Sequence, residues 1–133
     1  MATTQQLVSI LVPVYNRVNI IAETLDSALA QTYKNIEIIV VDNASTDGTW
    51  EVICDCAKKD SRIRAFQNES NLGPVRNWLR CVEEARGAFA KILWSDDLIA
   101  PDFLIETVPY FDDPEVGFVY TSTKIFTDRK SVV

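Results

Sequence analysis

The chain has 133 residues, 47% of them hydrophobic and 24% charged, with a formal net charge of -6 and no histidine. That size and apolar content specify one soluble domain able to bury its own core. The acidic balance, with no cluster of Lys and Arg, speaks against a nucleic-acid surface, and the missing histidines exclude Ser-His and Cys-His nucleophiles, histidine general bases and histidine-bearing zinc sites.

No run approaches the roughly 20 apolar residues that cross a bilayer, and residues 1–6 lack the basic-then-apolar order of a signal peptide. Cys54 and Cys56 lie two apart on a predicted helix and point to different faces, and Cys81 stands alone. Free, mostly buried thiols in a reducing cytoplasm are therefore expected, not a disulfide or a metal pair.

Residues 7–14 form an apolar, β-branched run broken by Ser9 and Pro13, which predicts a buried parallel strand. Pro13 cannot donate to a ladder, so the strand is expected to end there, with Tyr15-Asn16-Arg17 in the following loop. Asn19 suits the N-cap of a helix carrying Ile21, Leu25, Ala28 and Leu29 on its apolar face and ending near Gln31. Residues 36–41 form a second strand that ends in Asp42, followed by a cluster of turn formers in which Asp47 caps a helix starting near Gly48. Trp50, Ile53, Cys54 and Ala57 give that helix its inward face.

A short third strand at 63–66 leads through a polar loop to Pro74, a favoured first helical residue, and to a helix whose apolar face is expected at Val75, Trp78, Leu79 and Val82. Residues 89–94 supply a fourth strand that delivers Asp96 and Asp97. Pro101 opens a short helix to about Val108, and Asp113-Pro114 turns the chain into a fifth strand at 116–120. Residues 121–133 carry little pattern. Strands alternating with helices predict an α/β fold with a mostly parallel sheet, incomplete at its C-terminal side.

In a parallel sheet the C-terminal ends of all strands share one edge, so the loops holding Tyr15-Asn16-Arg17, Asp42-Asn43, Asn71-Gly73-Arg76 and Asp96-Asp97 converge there. Asp42 reads either as a ligand for a base or ribose or as a cap for the Ser45 and Thr46 amides. Asp96 and Asp97 repel one another in a cleft unless a cation lies between them, and with a diphosphate ligand Mg2+ or Mn2+ bridges such groups naturally; alternatively they form a solvated turn. Arg76 opposes the dipole of its helix, which points either to an anionic partner or to a salt bridge with Glu69 or Glu83. The four glycines are too scattered for a dinucleotide fingerprint or a P-loop.

Val8-Ser9-Ile10-Leu11-Val12-Pro13-Val14-Tyr15-Asn16, Val41-Asp42-Asn43-Ala44-Ser45-Thr46-Asp47-Gly48-Thr49, Asn71-Leu72-Gly73 with Arg76-Asn77, and Ser95-Asp96-Asp97 with Pro101-Asp102 together resemble glycosyltransferase family 2 in order and spacing. The resemblance spans roughly residues 6–122. It implies a Rossmann-like GT-A fold, three α/β/α layers, that binds a nucleotide-diphospho-sugar, commonly a UDP-sugar, with Mn2+ or Mg2+ and transfers the sugar with inversion.

Position by position, the resemblance implies that Pro13, Tyr15 and Asn16 border the base, Asp42 binds the uracil, Arg76 lies near the nucleotide, Asp96 approaches the ribose, and Asp97 holds metal and diphosphate. Many members have an acid where Trp94 stands, which leaves open which of Asp96 and Asp97 takes the metal. Members also place the general base in a later segment. The expectation is thus a donor-binding half, residues 1–133, without the acceptor half and its sugar or lipid-linked acceptor. Cell-surface polysaccharide or glycoconjugate assembly is a family-level expectation; a cytoplasmic location, at most at the inner membrane face, is expected as well, and a free sheet edge offers a route to self-association. A nucleotide-sugar-binding module without turnover is the competing reading. A receiver-like signalling domain is disfavoured, because the first strand does not end in acids.

Overall fold

The computed structural model describes residues 5–128 and 131–132. Four strands, β1 (Val8–Val14), β2 (Ile36–Asp42), β3 (Ile63–Gln67) and β4 (Phe89–Ile92), form one sheet in the order β3-β2-β1-β4, with every pairing parallel. Helices α1 (Ile21–Leu29), α2 (Thr49–Lys59) and α3 (Pro74–Glu84) make the crossovers. A short helix α4 (Phe103–Thr107) runs into a 3-10 turn at Val108–Asp112.

Period-two alternation divides each central strand between two cores. Val8, Ile10, Val12 and Val14 meet Ile38 and Val40 beneath Ile21, Leu25 and Ala28 of α1 and Ile53 of α2. Leu11, Ile39 and Val41 face the other way, onto Cys81 of α3. Each such fully buried aliphatic side chain is worth about 1.5–3 kcal/mol. The fold is therefore the expected three-layer α/β arrangement. Burial pushes the Cys81 thiol up to about 12, and all three cysteines are free.

Several boundaries differ from expectation, each for a physical reason. Strand β1 runs through Pro13 to Val14. Odd-numbered residues of β1 turn their backbone groups toward β4, since the Leu7 and Leu11 carbonyls accept from Ala88 and Leu93, whereas Val14 bonds Asn43 on the β2 side. Pro13 thus lacks its N–H on the side where the β4 ladder has already ended, and no β1–β2 bond is lost. The same gap lets β4 stop at Ile92 instead of Trp94.

The inward face of α3 is Asn77 and Cys81, while Val75, Leu79 and Val82 are exposed and Trp78 is half-buried. Polar anchors override the apolar periodicity here: the Asn77 amide nitrogen donates to the Val41 carbonyl at 3.1 Å, and Arg80 donates to the Gln67 carbonyl at 3.1 Å. Nor do residues 116–120 form a fifth strand. They have no regular secondary structure, with Phe118 and Tyr120 exposed, and Gly117 interrupts an already short run. Strand pairing instead appears in a small antiparallel ribbon, β5 (Phe126–Asp128) with β6 (Ser131–Val132). Among the described residues no helix is long and apolar enough to cross a membrane.

Candidate functional site

The chain leaves β1 toward β2 and β3 on one side and returns to β4 on the other, so the order reverses between β1 and β4. Ligands of open α/β sheets bind in the crevice outside the C-terminal ends of such strands. Arg17, just beyond β1, spans that crevice: its Nη2 lies 3.8 Å from Asp96 Oδ2, with both side chains well exposed.

Beyond β4, Ser95 and Asp96 form the centre of a tight turn closed by the Asp97 N–H on the Trp94 carbonyl at 2.9 Å. Ser95 is buried, Asp96 and Asp97 are exposed. A second cation, Lys91, stands half-buried on β4 with its Nζ 5.0 Å from the Phe103 ring centroid. Burial lowers its pKa from the usual lysine value, and the charge of Asp97 works in the opposite direction. Two hard carboxylates at the mouth of a crevice suit Mg2+ or Mn2+, which takes one or two protein carboxylates and fills its octahedron with phosphate oxygens and water. Among the described residues no group of three or more His, Cys, Asp or Glu side chains could hold an ion by itself.

The loops after β1 and β2 are stitched together. The Asn16 N–H donates to Ser45 Oγ at 2.9 Å, the Ser45 hydroxyl donates to Asp42 Oδ1, and Asn16 Oδ1 accepts the Thr46 N–H at 2.9 Å. Asp42 Oδ2 accepts the Ser45 N–H and the Gln67 amide, each at 3.1 Å. Asn16 holds a left-handed backbone with φ 50°, which asparagine tolerates better than most residues. Asp47 is not the N-cap of α2, a place taken by Gly48 without a side-chain cap bond; one residue earlier, Asp47 Oδ1 accepts the Thr49 N–H at 3.0 Å and Asp47 Oδ2 takes the Val18 N–H at 3.2 Å. The Thr49 hydroxyl bond heads the causes that hold the Asp47 carboxyl below the usual range.

The loop after β3 is fastened by asparagines. Asn43 Oδ1 accepts from Asn68 and from the Leu72 N–H, both at 2.9 Å, and the Asn43 amide donates to Asn71 at 2.8 Å. Asn68 also donates to Asn77 at 2.8 Å and accepts from Arg80 at 2.7 Å.

The structure therefore brings Tyr15, Asn16, Asp42, Asp96 and Asp97 to one edge. Pro13 is on that edge but buried within β1, and Asp42 has no exposed surface. Arg76 is exposed on the first turn of α3 and, among the described residues, forms no salt bridge with Glu69 or Glu83. Sequence reasoning did not single out Arg17, Lys91, Gln67, Asn68 or Asn77 as site residues. Arg17 left a signal as a cation in the loop that follows the first strand, and Asn77 as part of the Arg76-Asn77 pair in the family resemblance.

The model of the family Glycosyl transferase family 2 matches residues 9–132. An uncharacterized glycosyltransferase of Rickettsia felis is 38% identical over 122 residues, 92% of this chain and 20% of that protein. The UDP-Glc:alpha-D-GlcNAc-diphosphoundecaprenol beta-1,3-glucosyltransferase WfaP of Escherichia coli is 37% identical over 123 residues, 92% of this chain and 48% of the relative. Among solved structures, a Pyrobaculum calidifontis mannosyltransferase in complex with GDP-Man and Mn2+ superposes with a TM-score of 0.79 at 31% identity, covering 86% of this chain and 35% of that one. S. aureus TarS in complex with UDP-GlcNAc gives a TM-score of 0.73 at 26% identity over 91% of this chain and 38% of that one. The chain spans less than half the length of these relatives.

Proposed function

The chain belongs to glycosyltransferase family 2, with a GT-A fold, and from that premise we propose that it is the donor-binding portion of a metal-dependent, inverting transferase. Its donor is a nucleotide-diphospho-sugar, a UDP-sugar, and its acceptor a hydroxyl of a sugar or lipid-linked glycan in polysaccharide or glycoconjugate synthesis. The observation that carries the reading is the shared C-terminal edge of the sheet, where Arg17 reaches from beyond β1 to Asp96 beyond β4 and the stitched loops after β1 and β2 hold Asp42.

In this reading Tyr15, 43% exposed, covers one face of the base, with Pro13 and Asn16 fixing its loop. Asp42 Oδ1 takes one bond and keeps capacity for an imide N–H. A base reaches it once the exposed Gln67 side chain swings aside. Asp96 accepts from ribose hydroxyls, Arg76 and Arg17 face the negative ligand, and Asp97 holds Mn2+ or Mg2+. The ion would stabilise charge that develops on the departing diphosphate. Deprotonation of the acceptor is assigned to no acid of this chain. The expected place of work is the cytoplasmic face of the membrane.

Calorimetric titration of UDP with Mn2+ and again with EDTA tests this. Binding at least about tenfold tighter with the metal, and loss of that difference in Asp97→Asn, is the expected result. A folded protein that binds UDP in neither condition would contradict the reading. GDP, titrated in parallel, reports base preference.

A further inference from the structure

Thr24, Ser27 and Gln31 follow one another at i, i+3 and i+7 along α1 and its C-terminal end, and so share a face. Thr24 and Gln31 have no exposed surface, and they sit among Ile21, Leu25 and Ala28, where apolar residues would pack without desolvating a polar group. Their polar atoms go to one segment. Thr24 Oγ1 lies 3.1 Å from the Ser95 carbonyl and 3.0 Å from the Asp97 carbonyl. A hydroxyl has one proton, and both distances exceed the usual 2.7–2.8 Å, so this is a single proton shared between the two carbonyls that flank Asp96.

Ser27 Oγ donates to the Thr24 carbonyl at 2.7 Å and accepts the Ile99 N–H at 3.3 Å. Gln31 donates to the Ala100 carbonyl at 2.6 Å and accepts the Leu104 N–H at 3.1 Å. Each of these anchors from α1 grips main chain, and none consumes a carboxylate. Apolar packing contributes little between 94 and 98, since Trp94 is 50% and Leu98 46% exposed.

We propose that Thr24, supported by Ser27, is a positioning residue for the acid turn: it fixes the backbone on both sides of Asp96 so that Asp96 and Asp97 meet cation and diphosphate already in place. This rests on the turn being the donor and metal site. Thr24→Val keeps the shape and removes the proton, whereas Thr24→Ser keeps the proton.

The readout is the ratio of UDP affinity in Mn2+ to that in EDTA, alongside amide hydrogen exchange at Asp97 and Ile99. Thr24→Val is expected to lower the ratio about tenfold, the scale of an outer-shell contact to a metal site, with a smaller loss of affinity in EDTA through the ribose contact of Asp96, and to speed exchange at Asp97; Thr24→Ser restores all three. A merely structural threonine would lower the melting temperature and both affinities together, with the ratio intact, and that result overturns the proposal. If Thr24→Val does not fold, Ser27→Ala, which frees the Ile99 N–H, takes its place with the same expected and contrary outcomes. Should the wild type show no metal-dependent binding, the donor-site reading fails. Exchange then decides the clamp alone: unchanged protection at Asp97 and Ile99 overturns it, and loss of protection sustains it.

Discussion

Strand β2 begins and ends with a buried acid, and the two are held in opposite ways. Glu37, at the N-terminal edge, accepts from Ser9 Oγ at 2.6 Å, from the Arg86 N–H at 2.7 Å and from Arg64 Nη1 at 2.9 Å. It has a cation, and both oxygens are used. Asp42, at the C-terminal edge, has only the neutral donors Ser45 and Gln67, and the nearby acids Asp96 and Asp97 stand in solvent. One edge spends its charge on a buried pair that holds the sheet together; at the other, Asp42 is held by neutral donors and Asp96 meets only an exposed arginine at 3.8 Å.

Breaking the closed edge should cost the most stability. Glu37→Ala leaves the Ser9 hydroxyl without its acceptor and Arg64 Nη1 with only the Glu84 carbonyl at 2.9 Å, and loss of one member of a buried pair costs about 3–5 kcal/mol, read as a lowered midpoint in urea. Nucleotide binding by the protein that remains folded should be unchanged.

Gly87→Ala comes next. An added Cβ would lie 2.6 Å from Ser9 Oγ and 2.8 Å from the Leu7 carbonyl, and backbone cannot yield as a flexible side chain can, so about 1–3 kcal/mol is expected. Acid sensitivity sharpens the contrast. Burial alone would raise the Glu37 pKa, but the Ser9, Arg86 and Arg64 hydrogen bonds outweigh it and lower the value below the ordinary 4.5. The resulting stabilisation is complete above 4.5 and is lost as pH falls from there through the folded value. Glu37→Gln should therefore flatten stability against pH in that acid window. Smallest of all, Arg17→Ala removes an exposed pair at 3.8 Å and should change stability by no more than about 1 kcal/mol while weakening UDP binding.

The open edge was the more legible of the two. Acids that end apolar strands, at Asp42 and after Leu93, announce a rim in the sequence itself, and the alternation of strands and helices orders them on it. Glu37 was silent, because one acid between Ile36 and Ile38 reads as the outward side of a strand until Arg64 and Arg86 are brought in from distant segments. The α3 face was misread for a related reason. Val75, Leu79 and Val82 have helical spacing, yet Asn77 faces inward because its amide satisfies the Val41 carbonyl and Asn68. Hydrogen bonds between segments leave no periodic trace, and neither does the side of β1 on which Pro13 lacks its N–H. The polar stripe of α1 is hidden in the same way, because the partners of Thr24 lie in the acid turn and those of Gln31 at Ala100 and Leu104, far along the chain.

The most direct measurement of the central claim is the melting temperature of the wild type and of Asp97→Asn, each alone and with Mn2+ and UDP. The two unliganded proteins should melt nearly together, because Asp97 is exposed and, among the described residues, forms no salt bridge, and such a carboxylate carries little stability. Ligand at 100 times its Kd stabilises by about 2.7 kcal/mol, so the wild type should melt several degrees higher with Mn2+ and UDP, while Asp97→Asn, binding about tenfold more weakly, should rise only about half as far. An equal rise in both proteins, or a variant that is already destabilised without ligand, would contradict the assignment of this edge as the metal and donor site.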